Sequence, residues 1–387
     1  MKVTLPTAAL LDAVSHAATV ASTKSPNPIL ECVALRAQRT KGLTIEATDL
    51  DVGISLLLPD AQVSEEGMLV VPAARLLSIL REVDQDETTL TEAEGVLAIQ
   101  SGRNHFRVRG EDARNVAELP VFPSSGGVKL PAAELRAMIR RTVFATAKEA
   151  GRFALHGVLF RVTDKTLELV ATDGRRLARA THTLSTPVAK EVKVIVGPKA
   201  LSLLERLVPD DAGSHSVVST AAGSGSAGFD SAGFVNVALH ERQVMFRVGG
   251  ALVISRLIDG TFPVYEDVIP KASAKGFRTE VGALATALRR AALLTTREAM
   301  SVQVDVARDL LTLRSRAADI GEAKVELPVT YDGPAERLGF NPGFLLDALK
   351  VMEPQAEVRF EFTNGKSPGK LSDGDDYVYV VMPIALE

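Results

Sequence analysis

Asp49 and Asp173, which end two repeated Ala-Thr-Asp triplets, are the residues whose pattern most suggests paired catalytic acids. Two carboxylates in one cleft could divide general acid and base roles or hold a metal ion. Each aspartate, however, follows a predicted strand, where Asp typically accepts backbone N–H groups within a turn. Equivalent positions of different repeats would also lie far apart. We therefore expect structural aspartates, with a nucleotide- or metal-dependent enzyme as the first alternative.

The other candidates for chemistry indicate no cofactor and no metal site. A Gly-x-Gly-x-x-Gly pattern (Gly223, Gly225 and Gly228) is followed by Phe-Asp-Ser-Ala-Gly, which begins no helix that could bind a pyrophosphate. The six histidines show no spacing typical of metal ligands. Cys32, the single cysteine, lies in an apolar run and is expected to be a small buried hydrophobic residue.

Composition indicates an ordinary water-soluble protein of two or three domains. The chain has 387 residues, 46% of them hydrophobic, and a formal net charge of −4. No apolar run approaches the roughly 20 residues that span a bilayer, and the N-terminus lacks a signal-peptide pattern. We therefore expect a cytoplasmic protein without membrane contact. Aromatic residues make up only 5%, which disfavours base-stacking platforms for single strands.

Two sequence patterns occur three times along the chain. A strand, a short polar gap and a second strand occupy residues 29–55, 154–180 and 300–327, and a strand entering a helix occupies residues 68–83, 192–209 and 337–354. A period this long indicates tandem whole domains and not a solenoid. Helical periodicity predicts two helices in each third of the chain, at residues 7–20, 72–83, 131–147, 197–208, 280–296 and 341–352. The fold class is therefore α+β, with mainly antiparallel sheets.

Proline-rich joints at residues 118–123 and 262–270 divide the chain into three similar domains. We predict these at residues 1–123, 124–270 and 271–387. The second domain is longer because of a Gly- and Ser-rich insertion near residues 210–233, which is typical of a flexible loop.

Basic residues recur on the polar faces of the predicted helices. Singly, such residues are usually only solvated, but on equivalent helices of a repeat they could line one surface and attract phosphates without reading bases. They are Arg75, Arg81, Arg136, Arg140, Lys199, Arg206, Arg289, Arg290 and Lys350.

Several motifs together are similar to the bacterial sliding clamp, the β subunit of DNA polymerase III, over the whole chain. They are Pro-Ile-Leu at 28–30, Leu-Val-Ala-Thr-Asp-Gly-Arg-Arg-Leu-Ala at 169–178, Leu-Ile-Asp-Gly-Thr-Phe-Pro-Val-Tyr at 257–265, Gly-Phe-Asn at 339–341 and Tyr-Val-Val-Met-Pro at 379–383.

This resemblance implies a role in replication and not in catalysis. Three clamp domains, each with two helices and antiparallel sheets, would form half of a six-domain ring, which a head-to-tail homodimer closes around double-stranded DNA of any sequence. The expected partners are a clamp loader, the DNA polymerase III catalytic subunit, and other polymerases and repair proteins that carry clamp-binding motifs. A monomeric three-domain peptide-binding adaptor that does not encircle DNA is the second alternative.

The resemblance also implies three sets of site residues. Besides the helix residues above except Arg290, the DNA-binding set includes Lys24, Lys148, Arg152 and Phe153. A hydrophobic pocket for partner peptides would be formed by Leu155, Thr172, Gly174, Arg175, Arg176, Leu177, Pro263, Val268, Asn341, Phe344, Val380 and Met382. The dimer interface would join Phe106 and Val108 of one chain to Leu293 and Leu294 of the other. Arg175 and Phe344 stand where the family often has His and Tyr, which affects the preferred peptide.

Overall fold

The computed structural model describes residues 1–124, 127–148, 153–188, 191–208, 233–271, 275–296, 300–317 and 320–386. The glycine-rich pattern, Arg152, His215 and the predicted insertion, apart from Gly233, lie outside these ranges. None of the helices within them is long and apolar enough to cross a membrane.

Six α-helices lie in the described ranges, one in each stretch where helical periodicity predicts it. They are α1 (Thr7–Val20), α2 (Ala73–Arg81), α3 (Ala132–Thr142), α4 (Pro198–Leu207), α5 (Val281–Ala292) and α6 (Pro342–Leu349). Helix α3 ends earlier than predicted, because the chain tightens into a 3-10 turn at Val143–Ala145, and α5 ends at Ala292, four residues before the predicted end. Each helix buries one apolar face, as Leu76 and Leu80 do on α2.

Short alternating or β-branched segments form the strands between these helices. The first third contains β1 (Lys2–Pro6), β2 (Cys32–Gln38), β3 (Gly42–Thr48), β4 (Val52–Leu58), β5 (Gln62–Glu65), β6 (Gly67–Pro72), β7 (Glu87–Ala93), β8 (Val96–Ser101) and β9 (Asn104–Arg109). The second contains β10 (Val128–Pro131), β11 (Val158–Thr163), β12 (Thr166–Thr172), β13 (Arg176–Thr183), β14 (Val192–Val196), β15 (Phe234–His240), β16 (Gln243–Val248) and β17 (Ala251–Arg256). The last contains β18 (Gly276–Glu280), β19 (Val302–Ala307), β20 (Leu310–Ala317), β21 (Gly321–Pro328), β22 (Glu336–Phe340), β23 (Glu357–Glu361), β24 (Gly369–Asp373) and β25 (Tyr377–Val381).

The chain divides into two compact units, each built around one eight-stranded sheet. The first unit comprises Met1–Ala137 and Lys199–Leu257, and the second comprises Met138–Pro198 and Ile258–Glu387. Their sheets have the orders β10-β15-β16-β17-β4-β3-β2-β6 and β14-β11-β12-β13-β25-β24-β23-β18. Each sheet therefore joins four strands from one third of the chain to four from the next. The first unit also has a five-stranded sheet, β5-β1-β7-β8-β9, and the second a four-stranded sheet, β21-β20-β19-β22.

The strand registers show the threefold repeat residue by residue, and the pairings in the described ranges are antiparallel, as predicted. Leu43 faces Leu58 in the β3–β4 hairpin, Leu167 faces His182 in β12–β13, and Leu311 faces Leu327 in β20–β21. Where the eight-stranded sheets join, β17 pairs with β4 and β25 pairs with β13. Residues that occupy the same register position in different repeats are called counterparts below.

Candidate functional site

The two Ala-Thr-Asp turns have the same backbone arrangement, and in both the aspartate stabilises the turn as predicted. Oδ1 of Asp173 accepts hydrogen bonds from the backbone N–H groups of Arg175 at 2.9 Å and Arg176 at 3.0 Å. Oδ1 of Asp49 accepts from Asp51 at 3.0 Å and Val52 at 2.7 Å. Both carboxylates are therefore engaged as turn-forming acceptors.

In the second unit, the turn positions a buried arginine, Arg176. Its Nε donates to Oδ2 of Asp173 at 3.0 Å, its Nη1 to Oδ2 of Asp347 at 2.6 Å, and its Nη2 to the carbonyl of Phe144 at 2.9 Å. The guanidinium carbon lies 4.6 Å from the ring centroid of Phe344, a cation–π distance. These contacts hold the guanidinium between the turn and helix α6.

Tyr379 on β25 ties helix α6 to the sheet beside Arg176. Its hydroxyl donates to the carbonyl of Phe344 at 2.7 Å. Burial raises the pKa of Tyr379 well above its usual value, although the Arg176 charge opposes this, so the phenol stays a donor at neutral pH. Asn341 begins α6, with its Oδ1 accepting from the backbone N–H of Gly343 at 2.9 Å.

Four of the residues predicted to form the pocket are buried beneath the turn. Leu177 and Val380 belong to a hydrophobic cluster that also contains Leu159, Val170, Ile195, Phe262 and Tyr265. Leu155 and Thr172 are also buried, and the Thr172 hydroxyl donates to the carbonyl of Arg176 at 2.6 Å. Thr172 thereby supports the turn, and all four residues offer little exposed surface.

Four apolar residues within three positions of a member of this cluster along the chain are exposed, and together we call them the apolar patch: Pro263, Val264, Val268 and Met382. Val264 is 70% exposed, Val268 44% and Met382 40%. The patch is attached to the turn, because the backbone N–H of Met382 donates to the carbonyl of Arg175 at 2.8 Å. Of the remaining predicted residues, Gly174 and Arg175 are exposed, and Asn341 and Phe344 are half-buried. Val264 is not among the residues that the sequence predicted for the pocket, although it follows Pro263 directly.

Most of the predicted DNA-binding residues are exposed, but two are engaged within the first unit. Nε of Arg136 donates to the carbonyl of Glu205 at 3.0 Å. Nζ of Lys199 donates to Oδ2 of Asp49 at 2.6 Å and to the carbonyl of Val20 at 2.9 Å, so it joins the turn to the end of α1. Phe153 begins the 3-10 helix Phe153–His156. Lys199 is nevertheless exposed, as are Lys24, Arg75, Arg81, Arg140, Lys148, Arg206, Arg289 and Lys350.

Three of the four residues predicted at the dimer interface, Phe106, Val108 and Leu294, lie on or beside the outer strands of the two smaller sheets. Phe106 is half-buried and Val108 buried on β9, an edge strand of the five-stranded sheet. Leu293 follows α5 and is 77% exposed. Leu294 is half-buried beside the first residue of edge strand β21, since a Cβ on Gly321 would lie 3.9 Å from its Cδ1.

No group of three or more His, Cys, Asp or Glu residues within the described ranges is arranged to hold a metal ion. Cys32 is buried, as predicted. Burial, followed by the charges of Glu111 and Glu31, raises the pKa of its thiol to about 11, which makes it a poor nucleophile.

Comparisons with known proteins agree over the whole chain. Models of the N-terminal, central and C-terminal domains of the DNA polymerase III β subunit match residues 1–122, 129–264 and 266–385. The β sliding clamp of Pseudomonas putida is 30% identical over 391 residues and that of Caulobacter vibrioides 31% over 398, covering 99–100% of each chain.

Solved structures show the same likeness. The Pseudomonas aeruginosa sliding clamp bound to griselimycin matches with a TM-score of 0.87 at 29% identity, and the Thermotoga maritima β subunit with 0.86 at 26%, each over 100% of both chains. The chain therefore belongs to the DNA polymerase III β-subunit family, the bacterial DNA sliding clamps.

Proposed function

We propose that two copies of this chain join head to tail into a ring of six clamp domains that encircles duplex DNA and tethers replication and repair proteins to it. The domains would be residues 1–123, 124–270 and 271–387. The observation that carries the proposal is that each of the two smaller sheets ends in an unpaired edge strand whose counterparts are paired in the eight-stranded sheets. Strand β9 is the counterpart of β17 and β25, and β21 is the counterpart of β4 and β13, yet β9 and β21 are sheet edges within the described chain.

Pairing β9 of one copy with β21 of another would complete the third sheet of the repeat at each interface. In the finished sheets Val253 faces Ile54 and Tyr379 faces Ala178. Their counterparts in the unfinished sheets are Phe106 and Ala323, both half-buried, so an equivalent register places them opposite each other. Two unpaired edges of complementary pattern are a template for such strand addition.

The same register supports the pairing through charge. It places Arg107 opposite Glu322, and both side chains are exposed in the single chain. Opposite charges directly across an antiparallel pair are favourable, and like charges are unfavourable. We therefore expect Arg107→Glu and Glu322→Arg each to shift the dimer toward monomer, and the double variant to recover it, in sedimentation-velocity experiments. Arg308→Glu, a charge reversal in an exposed turn of the four-stranded sheet, is the matched control. Dimerisation unchanged by either single reversal would contradict this register.

Encirclement is tested by changing the topology of the DNA. The protein is placed on nicked circular DNA by its clamp loader, and the DNA is then cut once. A ring stays on the circle and slides off the free ends, whereas retention that is equal on both forms would exclude a ring. Family membership favours the ring over the monomeric adaptor. The adaptor predicts equal retention on circular and on linear DNA.

In this proposal, DNA contacts the exposed basic residues of the helices, together with Lys24 and Lys148 outside the helices. Phosphate contacts are nonspecific, and each contributes about 0.9 to the slope of log affinity against log salt concentration. A net charge of −4 suits a ring that slides, since the positive charge is local and the ring itself provides retention. Arg75→Ala should lower the salt slope by about one contact if Arg75 touches a phosphate.

The apolar patch and the Arg176 turn would capture short peptides of the polymerase III catalytic subunit, other polymerases and repair proteins. Exposed aliphatic side chains accept leucine or aromatic anchors, while the glycine at 174 allows a peptide backbone to approach. Affinities on the order of micromolar, about −8 kcal/mol, would let partners exchange on one ring. Griselimycin, which is bound in the Pseudomonas aeruginosa structure, is a small molecule whose binding to this chain can be compared between the wild type and variants of the patch. The role needs no catalytic residue and no cofactor, and it belongs in the cytoplasm, where bacterial DNA is copied.

A further inference from the structure

A buried carboxylate, Glu168, lies under the segment that carries most of the apolar patch. Its side chain is 1% exposed on strand β12. Oε1 accepts from Nε of Arg179 at 2.6 Å, and Oε2 lies 2.7 Å from Nη2 of Arg161. Oε2 also accepts from the hydroxyl of Tyr265 at 2.7 Å. Three charge-assisted contacts leave this buried charge fully compensated, which is the condition for a stable ionic group in a core.

Tyr265 links this ionic cluster to the apolar patch. Its ring is 4% exposed and packs edge-on against Phe262, with the two centroids 6.2 Å apart. Between these two buried rings the chain exposes Pro263 and Val264, and after Tyr265 a 3-10 turn begins, in which the backbone N–H of Val268 donates to the carbonyl of Tyr265 at 3.0 Å. The positions of three patch residues therefore depend on where the Tyr265 ring and carbonyl are held.

The first unit shows that this ionic anchor is not required by the fold. Thr44 is the counterpart of Glu168, since Leu43 and Leu167 are counterparts one residue earlier. The joint of the first unit, residues 118–123, contains no tyrosine at all. The same sheet is thus built without the Glu168–Tyr265 hydrogen bond, so its presence in the second unit calls for a local reason.

From these contacts we infer that Glu168 is a positioning residue for partner binding: through the Tyr265 hydroxyl it holds the wall of the apolar patch formed by Pro263, Val264 and Val268. The inference rests on the proposed function of the patch and deepens it. Glu168 touches no partner itself. A rigid, preformed wall lowers the ordering cost that a docking peptide would otherwise meet.

The test uses Tyr265→Phe in the full-length dimer, with the DNA polymerase III catalytic subunit of the same organism as the probe. This variant keeps the ring in the hydrophobic cluster and leaves Glu168 with both arginines. Losing the one hydrogen bond should weaken polymerase binding about five- to tenfold. Glu168→Gln should weaken it similarly. Because it removes the carboxylate paired with Arg179 and leaves Arg161 only with Glu266, 3.7 Å away, it is interpreted only where its melting curve matches that of Tyr265→Phe.

Coupling distinguishes positioning from general loosening of the fold. If Tyr265 acts through the wall, Val268→Ala and Tyr265→Phe together should weaken binding less than the product of their separate effects. Asp305→Asn is the matched control, since Asp305 also accepts from two arginines, Arg314 at 3.2 Å and Arg337 at 3.0 Å, but on the four-stranded sheet. It should leave polymerase binding unchanged.

The outcomes distinguish failure of the proposed patch from failure of the positioning role of Glu168. If Val268→Ala and Met382→Ala both leave polymerase binding unchanged, the proposed patch is wrong. If they weaken it while Tyr265→Phe has no effect, or has an effect that is fully independent of Val268→Ala, the patch stands and the positioning role of Glu168 is overturned.

Discussion

The turns at Asp49 and Asp173 have the same backbone conformation, but the residues around them differ. In the first unit, Nζ of Lys199 donates to Asp49 of the turn, and Arg256 donates its backbone N–H to the carbonyl of Asp51 at 2.8 Å. In the second unit, Met382 makes the counterpart backbone bond to Arg175, while Arg176 fills the space next to Phe344. Backbone hydrogen bonds fix the strand register that repeats, whereas the side chains differ between the repeats. The Asp49 turn is therefore covered by a polar contact with Lys199, and the Asp173 turn is attached to the apolar patch.

Removing the central cation of each turn should give the largest contrast between the units. Arg176→Met leaves the carboxylates of Asp173 and Asp347 without their cation and should lower the free energy of unfolding by about 3 kcal/mol. This is the low end for a broken buried pair, because Asp347 is half-exposed. Lys199→Met removes the charge of a side chain that is 43% exposed and should cost about 0.2–1 kcal/mol. Denaturant titrations followed by circular dichroism measure both, and equal losses would contradict the contrast.

Truncating the residue that follows the joining strand should affect partner binding in one unit only. Met382→Ala removes exposed apolar area from the patch and should weaken polymerase binding about fivefold to tenfold, roughly 1–1.4 kcal/mol. Arg256→Ala, at the counterpart position, should leave it unchanged. Fluorescence anisotropy with a labelled polymerase peptide measures both variants, and sedimentation should show an intact dimer. An effect of Arg256→Ala as large as that of Met382→Ala would show that the first unit also binds peptides.

Exchanging the tips of the two turns should have smaller effects. Gly174 has φ +86° and open space around a Cβ, and Leu50, at the counterpart position, has φ 77°. Gly174→Leu should therefore cost only the left-handed backbone penalty of about 1 kcal/mol. Leu50→Gly relieves that strain but adds unfolded-state entropy, so its net effect should be near zero. Thermal melts measure both, and a loss for Gly174→Leu well above 2 kcal/mol would indicate a steric clash.

Near neutral pH the smallest effect is expected from the ionisation of Cys32, the single cysteine, which lies in the first unit. Its thiol ionises near 9 when unfolded and near 11 when folded. Because the folded pKa is the higher one, the stability it contributes is present below pH 9 and is lost as the pH rises toward 11. Cys32→Ala should flatten that decline in urea titrations at pH 8 to 11. Rapid reaction of the native thiol with a disulfide reagent at pH 8 would contradict its burial.

Local patterns predicted most of the secondary structure. All six helices lie where apolar spacing places them, and the alternating segments became antiparallel strands. Both aspartates act as turn acceptors because that chemistry involves only neighbouring residues. The end of α3 was misplaced, since Thr142 bonds back to the carbonyl of Met138 at 2.8 Å and no composition change marks the boundary.

What depends on residues distant in the chain could not be predicted in this way. Lys199 is on the polar face of a helix, and only the fold brings it to Asp49, 150 residues away. The same holds for Tyr265 and Glu168, which are 97 residues apart. Among the residues predicted for the pocket, Leu177 and Val380 are buried in the hydrophobic cluster, whereas Val268 and Met382 are exposed, and only the packing of distant strands decides which is which.

The sequence by itself determined the threefold plan, the α+β class, the family and the helices that carry basic residues, because periodicity, turn chemistry and motifs are all local or linear signals. The tertiary structure alone decided which charges are free and which are paired, where the two sheet edges remain unfinished, and how Glu168 anchors the 262–270 segment. Those properties arise from burial and from contacts between distant strands, which no single stretch of the chain encodes.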